Sequence, residues 1–402
     1  MSSRTSPRVT ATWLCLIIAM MTLSTSVSSQ NESQWNVEDE HSSLCGISEN
    51  LTFSGTNANT SVGWQVSLGP RVPESEPSAL FRSAVEENVT AWGWEVYTQQ
   101  HERHGMNLTN LFATLNGTGD EERGRIVISA HYDSRNIADK DLNVSNQTLP
   151  VPGANDAASG AAILIELARI IPAMNLSQDI TLFWNDAEDQ NDNYTVGAEA
   201  WADNLSQVEI DNMESFVLLD MVGDRDLQLQ KIYIGNSTLK SRAQALGGAL
   251  GMVNGTVSCA GIDGDGTMQY NITAYVGDDH QHPDELGIPT LSFMDPQYGE
   301  KVPGTFGEYW HTMEDTPDKV SAESLGAVGR LVELGLKSEA FVIVVEEQGQ
   351  PAQDNSTGDG DVEPLEPSKP KSRVITGLVI LAGASLFLIV GLIVFAEWKL
   401  KH

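Results

Sequence analysis

The chain reads as an α/β protein built on a mainly parallel sheet with helices on both faces. Three features predict this. Short, fully apolar runs alternate with longer segments of helical periodicity through much of its 402 residues. This βαβ alternation argues a mainly parallel sheet covered on both faces. Imidazoles and carboxylates stand at the ends of several of these runs, and the edge of an open α/β sheet is where such folds bind ligands.

Taken in order, Arg4 and Arg8 precede the apolar stretch 11–23 and the small residues STSVSS, so residues 1–30 have the layout of a secretory signal. Segment 73–116 supplies an opening layer, with an amphipathic helix near 79–91 and strand-like WEVYTQ and NLFATLNG. Strands are predicted at 126–130 (IVISA), 180–184 (ITLFW), 216–219 (FVLL), 231–235 (KIYIG) and 290–294 (TLSFM). Helices are predicted at 157–171, capped by Asn155 or Asp156, and at 197–205, 238–250 and 322–345. These elements make one folded unit, 31–346, long enough for a sizeable core.

Residues 347–373 are polar, acidic and rich in Pro and Gly, and read as an extended stalk. Residues 374–396 are apolar throughout and, as a helix of about 34 Å, long enough to cross a bilayer. Lys369, Lys371 and Arg373 on one side balance Lys399 and Lys401 on the other, so flanking charge does not orient the span. The signal does: the folded unit is expected outside the cell, with 397–402 as a cytoplasmic tail. That is a single-pass protein of the cell surface.

A net charge of −32 argues against nucleic acid and anionic lipid as partners. Beyond the signal only Cys45 and Cys259 remain, able to form one disulfide in an oxidising exterior. About fifteen N-x-S/T sequons favour N-glycans on the surface. Oligomeric state leaves no mark on the sequence.

Five potential zinc ligands follow one another as His131 (RIVISAHYDS), Asp156 (PGANDAASG), Asp189 (TLFWNDAED), Asp220 (FVLLDMVGD) and His311 (EYWHTMEDT). Imidazole and carboxylate are ligands that Zn²⁺ accepts, and the set reads as a two-metal hydrolase site. Each member has a structural alternative: a strand-end histidine, a helix cap, an acidic loop. Five in one ordered set outweigh these. Asp133, two residues after His131, is placed to orient its imidazole. Glu188, beside Asp189, can stay off the metal and serve as general base. Asp220 ends a strand so apolar that an unpaired charge there would be costly. Asp278, in VGDDH, is a candidate for the pocket wall. Neither GxSxG nor a phosphate-cradling glycine loop is present.

The segments GPRVPES, NLFATLNG, AHYDS, GANDAASG, DAED, LLDMVGD, DDHxxxxxxGIP and YWHTxxDT, in that order, resemble the zinc aminopeptidases with co-catalytic metals, peptidase family M28, and in particular their glutaminyl cyclase branch. The resemblance implies a phosphorylase/hydrolase-like three-layer α/β/α sandwich. It also implies His131, Asp156, Asp189, Asp220 and His311 as zinc ligands, Glu188 as base and Asp133 as orienting residue. Two zinc ions per chain are expected, or one in a cyclase, held by Asp156, Asp189 and His311. Trp310 would line a glutamine-sized pocket, and Asp278 would join a proton network. Two departures from the cyclases stand out: their glutamate ligand is Asp189 here, and a histidine after the GIP turn is Ser292.

The leading expectation is a zinc exopeptidase that removes N-terminal residues from peptides with a free N-terminus. A glutaminyl-peptide cyclotransferase is second. A catalytically inactive binding ectodomain is third, and the complete ligand set weighs against it.

Overall fold

The computed structural model describes residues 37–119 and 123–343. The signal 1–30, the stalk 347–373, the span 374–396 and the tail 397–402 lie outside them. Among the described residues no helix is long and apolar enough to cross a membrane.

Helices α1 (Val37–Ser48), α2 (Gly55–Ser67) and α3 (Glu76–Ala91) come first. Then come β1 (Glu95–Arg103), β2 (Met106–Leu115), β3 (Arg125–His131), α4 (Ala158–Ile170), β4 (Asp179–Asn185) and the short pair β5 (Asp189–Gln190) and β6 (Asn193–Tyr194). The chain continues through α5 (Val196–Ala202), α6 (Gln207–Asp211), β7 (Met213–Asp220), β8 (Leu229–Ile232) and α7 (Ser237–Ala249). It closes with β9 (Met268–Ala274), α8 (Gln281–Glu285), β10 (Thr290–Met294) and α9 (Ala322–Lys337).

Eight strands form one large, mainly parallel sheet in the order β1-β2-β4-β3-β7-β10-β8-β9. The pairs β4–β3, β3–β7, β7–β10 and β8–β9 are parallel. Within this sheet antiparallel pairing is confined to the opening hairpin, its junction with β4, and β10–β8, while β5 and β6 form a separate antiparallel pair. The hairpin turns at His104 and Gly105, both at positive φ, which suits the right-handed twist of its strands.

Central strands bury both faces, which explains their largely apolar sequences, interrupted only by small buried hydroxyl residues such as Ser129, Thr181 and Ser292. Ile126, Ile128, Val217 and Leu219 join the larger core, whereas Val127, Phe216 and Leu218 face a second cluster with Trp201 and Ile288. Helices α2, α4 and α9 pack on one another over the first face, and α5 and α6 contribute to the second. Helix α4 lies directly on β7, and only glycine at position 160 allows this. A Cβ there would stand 2.2 Å from the Leu219 carbonyl.

The structure adds α1, α2 and β9, which the sequence reading did not place, ends the helix predicted at 197–205 at Ala202, and differs further at three places. Neither Asn155 nor Asp156 caps α4. Ala157 holds the cap position without a side-chain bond, while Asn155 accepts the Gly223 amide. Helix α9 stops at Lys337 rather than near 345. Glu339 turns left-handed at φ +57°, and Phe341 folds back onto the helix where Gly335 leaves room for its ring. Strand β8 ends at Ile232 rather than 235, and Gly235 (φ +111°) turns the chain into α7.

A disulfide joins Cys45 in α1 to Cys259, across 214 residues of sequence. Closing so long a loop restricts the unfolded chain strongly, and such bonds contribute about 2–4 kcal/mol. Replacing both cysteines by serine is therefore expected to lower the unfolding free energy read from urea denaturation by an amount in that range, with a lower midpoint. An unchanged midpoint would show that α1 is held by packing alone.

Candidate active site

The expected ligands converge at the C-terminal edge of the parallel strands. His131 ends β3, Asp220 ends β7, and Asp189 follows β4. Asp156 arrives on the turn into α4, set against β7 by the Gly160 contact, and its peptide bond to Ala157 is cis. His311 comes from the loop after β10. Three residues beside or among these ligands adopt left-handed backbone without being glycine: Ala187 (φ +57°), Met221 (φ +51°) and His311 (φ +58°). Such conformations are disfavoured and gather at sites where the surrounding fold over-determines them.

Two ligand sets emerge, and they share one residue. His131, Asp156 and Asp220 form one; Asp156, Asp189 and His311 form the other, all buried. His131 Nε2 lies 3.1 Å from Asp156 Oδ1 and 3.2 Å from Asp220 Oδ1. His311 Nε2 lies 2.9 Å from Asp189 Oδ2 and 3.8 Å from Asp156 Oδ2. The two oxygens of Asp156 thus address different imidazoles. Ligand atoms on a tetrahedral zinc, with bonds of about 2.0–2.1 Å, stand roughly 3.3 Å apart, and these separations bracket that value. Asp189 Oδ2 is buried and lacks a well-formed hydrogen bond despite the nearby imidazole. Two groups so close and yet misaligned are aimed at a third point, as metal ligands are. The donor set fits zinc.

Asp133 explains how His131 and Glu188 come to be arranged together. Its Oδ1 lies 3.3 Å from His131 Nδ1 and accepts the Glu188 amide, while its Oδ2 accepts the Asp189 amide and the Gln190 side chain. Burial would raise its pKa, but these bonds, led by that to His131, hold it below the ordinary value. Glu188 itself is pushed well above the glutamate range, by burial first and then by Asp279, Asp189 and Asp278, with His131 opposing. Burial, together with Asp220 and Asp279, raises Asp278 likewise.

The metal ligands open into a cavity of about 230 Å³ whose lining includes Glu188, Tyr194, Met221, Asp278, Met294, Phe306 and Trp310. Trp310 stacks on His311. The structure therefore brings all nine residues singled out in the sequence to one place. Sequence reasoning missed Arg135 and Asp139, which adjoin the Asp189–His311 pair, and gave no role to Arg71. Their only signal was position, close to HYDS and inside GPRVPES.

Comparison with known proteins matches residues 110–334, more than half of the chain, to the model of Peptidase family M28. The chain belongs to peptidase family M28. It is 26% identical over 209 residues to aminopeptidase YwaD of Bacillus subtilis, covering 52% of this chain and 39% of that one. It is 24% identical over 327 residues to a glutaminyl-peptide cyclotransferase of Boiga dendrophila, covering 70% of this chain and 81% of that one. Among solved structures, it resembles a Tannerella forsythia glutaminyl cyclase (TM-score 0.61, 27% identity, 71% and 99% coverage). It equally resembles a Zn-dependent exopeptidase of Parabacteroides distasonis (TM-score 0.61, 25% identity, 72% and 99% coverage). This M28 member is thus of a zinc exopeptidase or glutaminyl cyclase type.

Proposed function

We propose that this M28 protein is a zinc-dependent aminopeptidase that removes N-terminal residues from peptides outside the cell. One observation carries the reading: two complete three-residue ligand sets share Asp156, with the half-buried Glu188 beside them and bound to neither set. Zinc held by these residues supplies Lewis acidity, polarising a carbonyl and making water acidic enough to attack near neutral pH. Glu188 accepts the proton of the attacking water and delivers it to the leaving amine. Asp133 keeps the His131 imidazole in the tautomer whose Nε2 faces the metal position. Met221, Met294, Phe306 and Trp310 exclude water from the bound residue.

The cyclase reading has its own support in the aligned cyclases and in Trp310 on the pocket wall. In that reaction the substrate's own amine attacks its glutamine amide, and Glu188 relays the proton to departing ammonia. An exterior location, tethered by span 374–396 after removal of signal 1–30, agrees with the disulfide, since such bonds persist in oxidising compartments. Of the sequon asparagines among the described residues, none is buried, whereas Asn110, Asn155 and Asn185, outside any sequon, are.

Zinc per purified chain, by elemental analysis, tests the reading. Two zincs with turnover of aminoacyl amides are expected. One zinc, with ammonia released from N-terminal glutamine peptides, would replace it by the cyclase. No zinc after reconstitution would leave only a binding ectodomain.

A further inference from the structure

Arg135 is almost fully buried beside the metal ligands, and neither reaction scheme gives it a task. Its Nη1 donates to Asp189 Oδ1, its Nε to Asp139 Oδ1 at 2.7 Å, and its Nη2 to the Asn191 carbonyl at 3.1 Å. The same Asp139 oxygen lies 3.3 Å from His311 Nδ1, and the Lys140 amide donates to the His311 carbonyl. The ring of Tyr194, part of the pocket wall, covers the guanidinium with 5.6 Å between Cζ and the ring centroid. Both ligands that belong only to the Asp156–Asp189–His311 position are thereby tied to one cation, directly or through one carboxylate. Nothing comparable ties the other position, where Asp133 alone orients His131 and Asp220 touches no arginine or lysine among the described residues.

We propose that Arg135 is a positioning residue for one metal position only. By engaging Oδ1 of Asp189 it leaves Oδ2 as the single oxygen for the metal, and by holding Asp139 it keeps a carboxylate 3.3 Å from His311 Nδ1, close to the ring though not in hydrogen-bond alignment, which restrains its rotation. The two positions are then separately tuned, although they share Asp156. A flexible carboxylate could swing to bind through both oxygens, and a free imidazole could rotate; Arg135 restrains both freedoms at once. Its fork of fixed donors suits this task, and a lysine, as a point donor, reproduces only one of the contacts.

This rests on the reading that both positions take zinc. The test strips the full chain with a chelator, refills it at buffered free zinc, and counts zinc per chain for wild type, Arg135→Met and Arg135→Lys. In Arg135→Met one zinc is expected to bind as in wild type, which also reports a folded chain, while the second requires about 10–100-fold more free zinc. Arg135→Lys falls between. Equal weakening of both zincs, no weakening, or tighter binding from the loss of a nearby positive charge would each overturn the proposal. If wild type takes only one zinc, the two-metal reading fails separately. Arg135→Met must then weaken that zinc by the same factor, and unchanged binding sinks the role of Arg135.

Discussion

Glu188→Gln is expected to lower kcat by about 10²–10⁴-fold while leaving the zinc content and KM close to wild type. The residue is in neither of the two sets that share Asp156, grouping instead with Asp278 and Asp279, so removing its charge takes no donor from those two sets. The amide occupies the same volume and keeps the backbone contacts that place it. Those contacts are local and rigid: the Glu188 amide donates to Asp133, its carbonyl accepts from Thr195 at 2.7 Å, and left-handed Ala187 precedes it. What the variant loses is the ability to accept a proton. Steady-state kinetics on an aminoacyl amide, beside elemental analysis, checks this. Full activity would remove Glu188 from the chemistry, and loss of zinc together with activity would recast it as a structural group.

The same residues suit both reaction types. Peptide hydrolysis and cyclisation need a polarised carbonyl and a carboxylate that ferries one proton; they differ in whether the nucleophile is water or the substrate's own amine. Glu188, Asp133 and the two imidazoles serve either. The complete His131–Asp156–Asp220 set has no necessary part in the cyclase scheme, so the number of zinc ions bound is the observation that separates the two reactions.

The sheet and the convergence of the candidate ligands were legible in the sequence for one physical reason. A parallel strand covered on both faces must be apolar throughout, so IVISAH, ITLFWND and FVLLD mark both strands and the point where polar groups emerge. Topology then carries those ends to one edge. Long-range positioning left weaker traces. Helix α2, GTNANTSVGWQVS, is poor in strong helix formers, and only the burial of Ala58, Val62 and Gln65 shows that packing holds it. Asp156 looked like a cap because short polar residues before a helix usually are; here the metal geometry claims it and leaves the cap to Ala157. Arg135 and Asp139 stand in a loop with no periodicity, where sequence states proximity along the chain but not what folds over it.

Arg71 gives the second large effect. Its side chain is completely buried, and it makes bonds that no single substitution can replace. Nε donates to the Tyr132 carbonyl at 2.9 Å, Nη2 to Gly153 at 2.6 Å, and Nη1 to Gln65 and Pro152 at 3.3 and 3.4 Å. The Arg71 amide also donates to Ser134 Oγ. These acceptors flank His131 and Asp133 on one side and Asp156 on the other, and Gly153 itself sits at φ +71°. Burial lowers the guanidinium pKa to about 10, with Asp315, Asp133 and Asp156 opposing, so it remains charged at neutral pH. Arg71→Met would fill most of the volume but leave several buried carbonyls without donors. The expected cost is about 3–5 kcal/mol, a large share of the stability of a typical domain. Because the freed loops carry ligands of both metal positions, zinc should be lost from both, unlike the selective loss expected of Arg135→Met. Urea unfolding and zinc content, read on the same preparation, separate the two effects. An unchanged midpoint with full zinc would mean that the HYDS and GAND turns hold their shape unaided. Arg71→Lys should recover little, since one ammonium cannot span carbonyls on both turns.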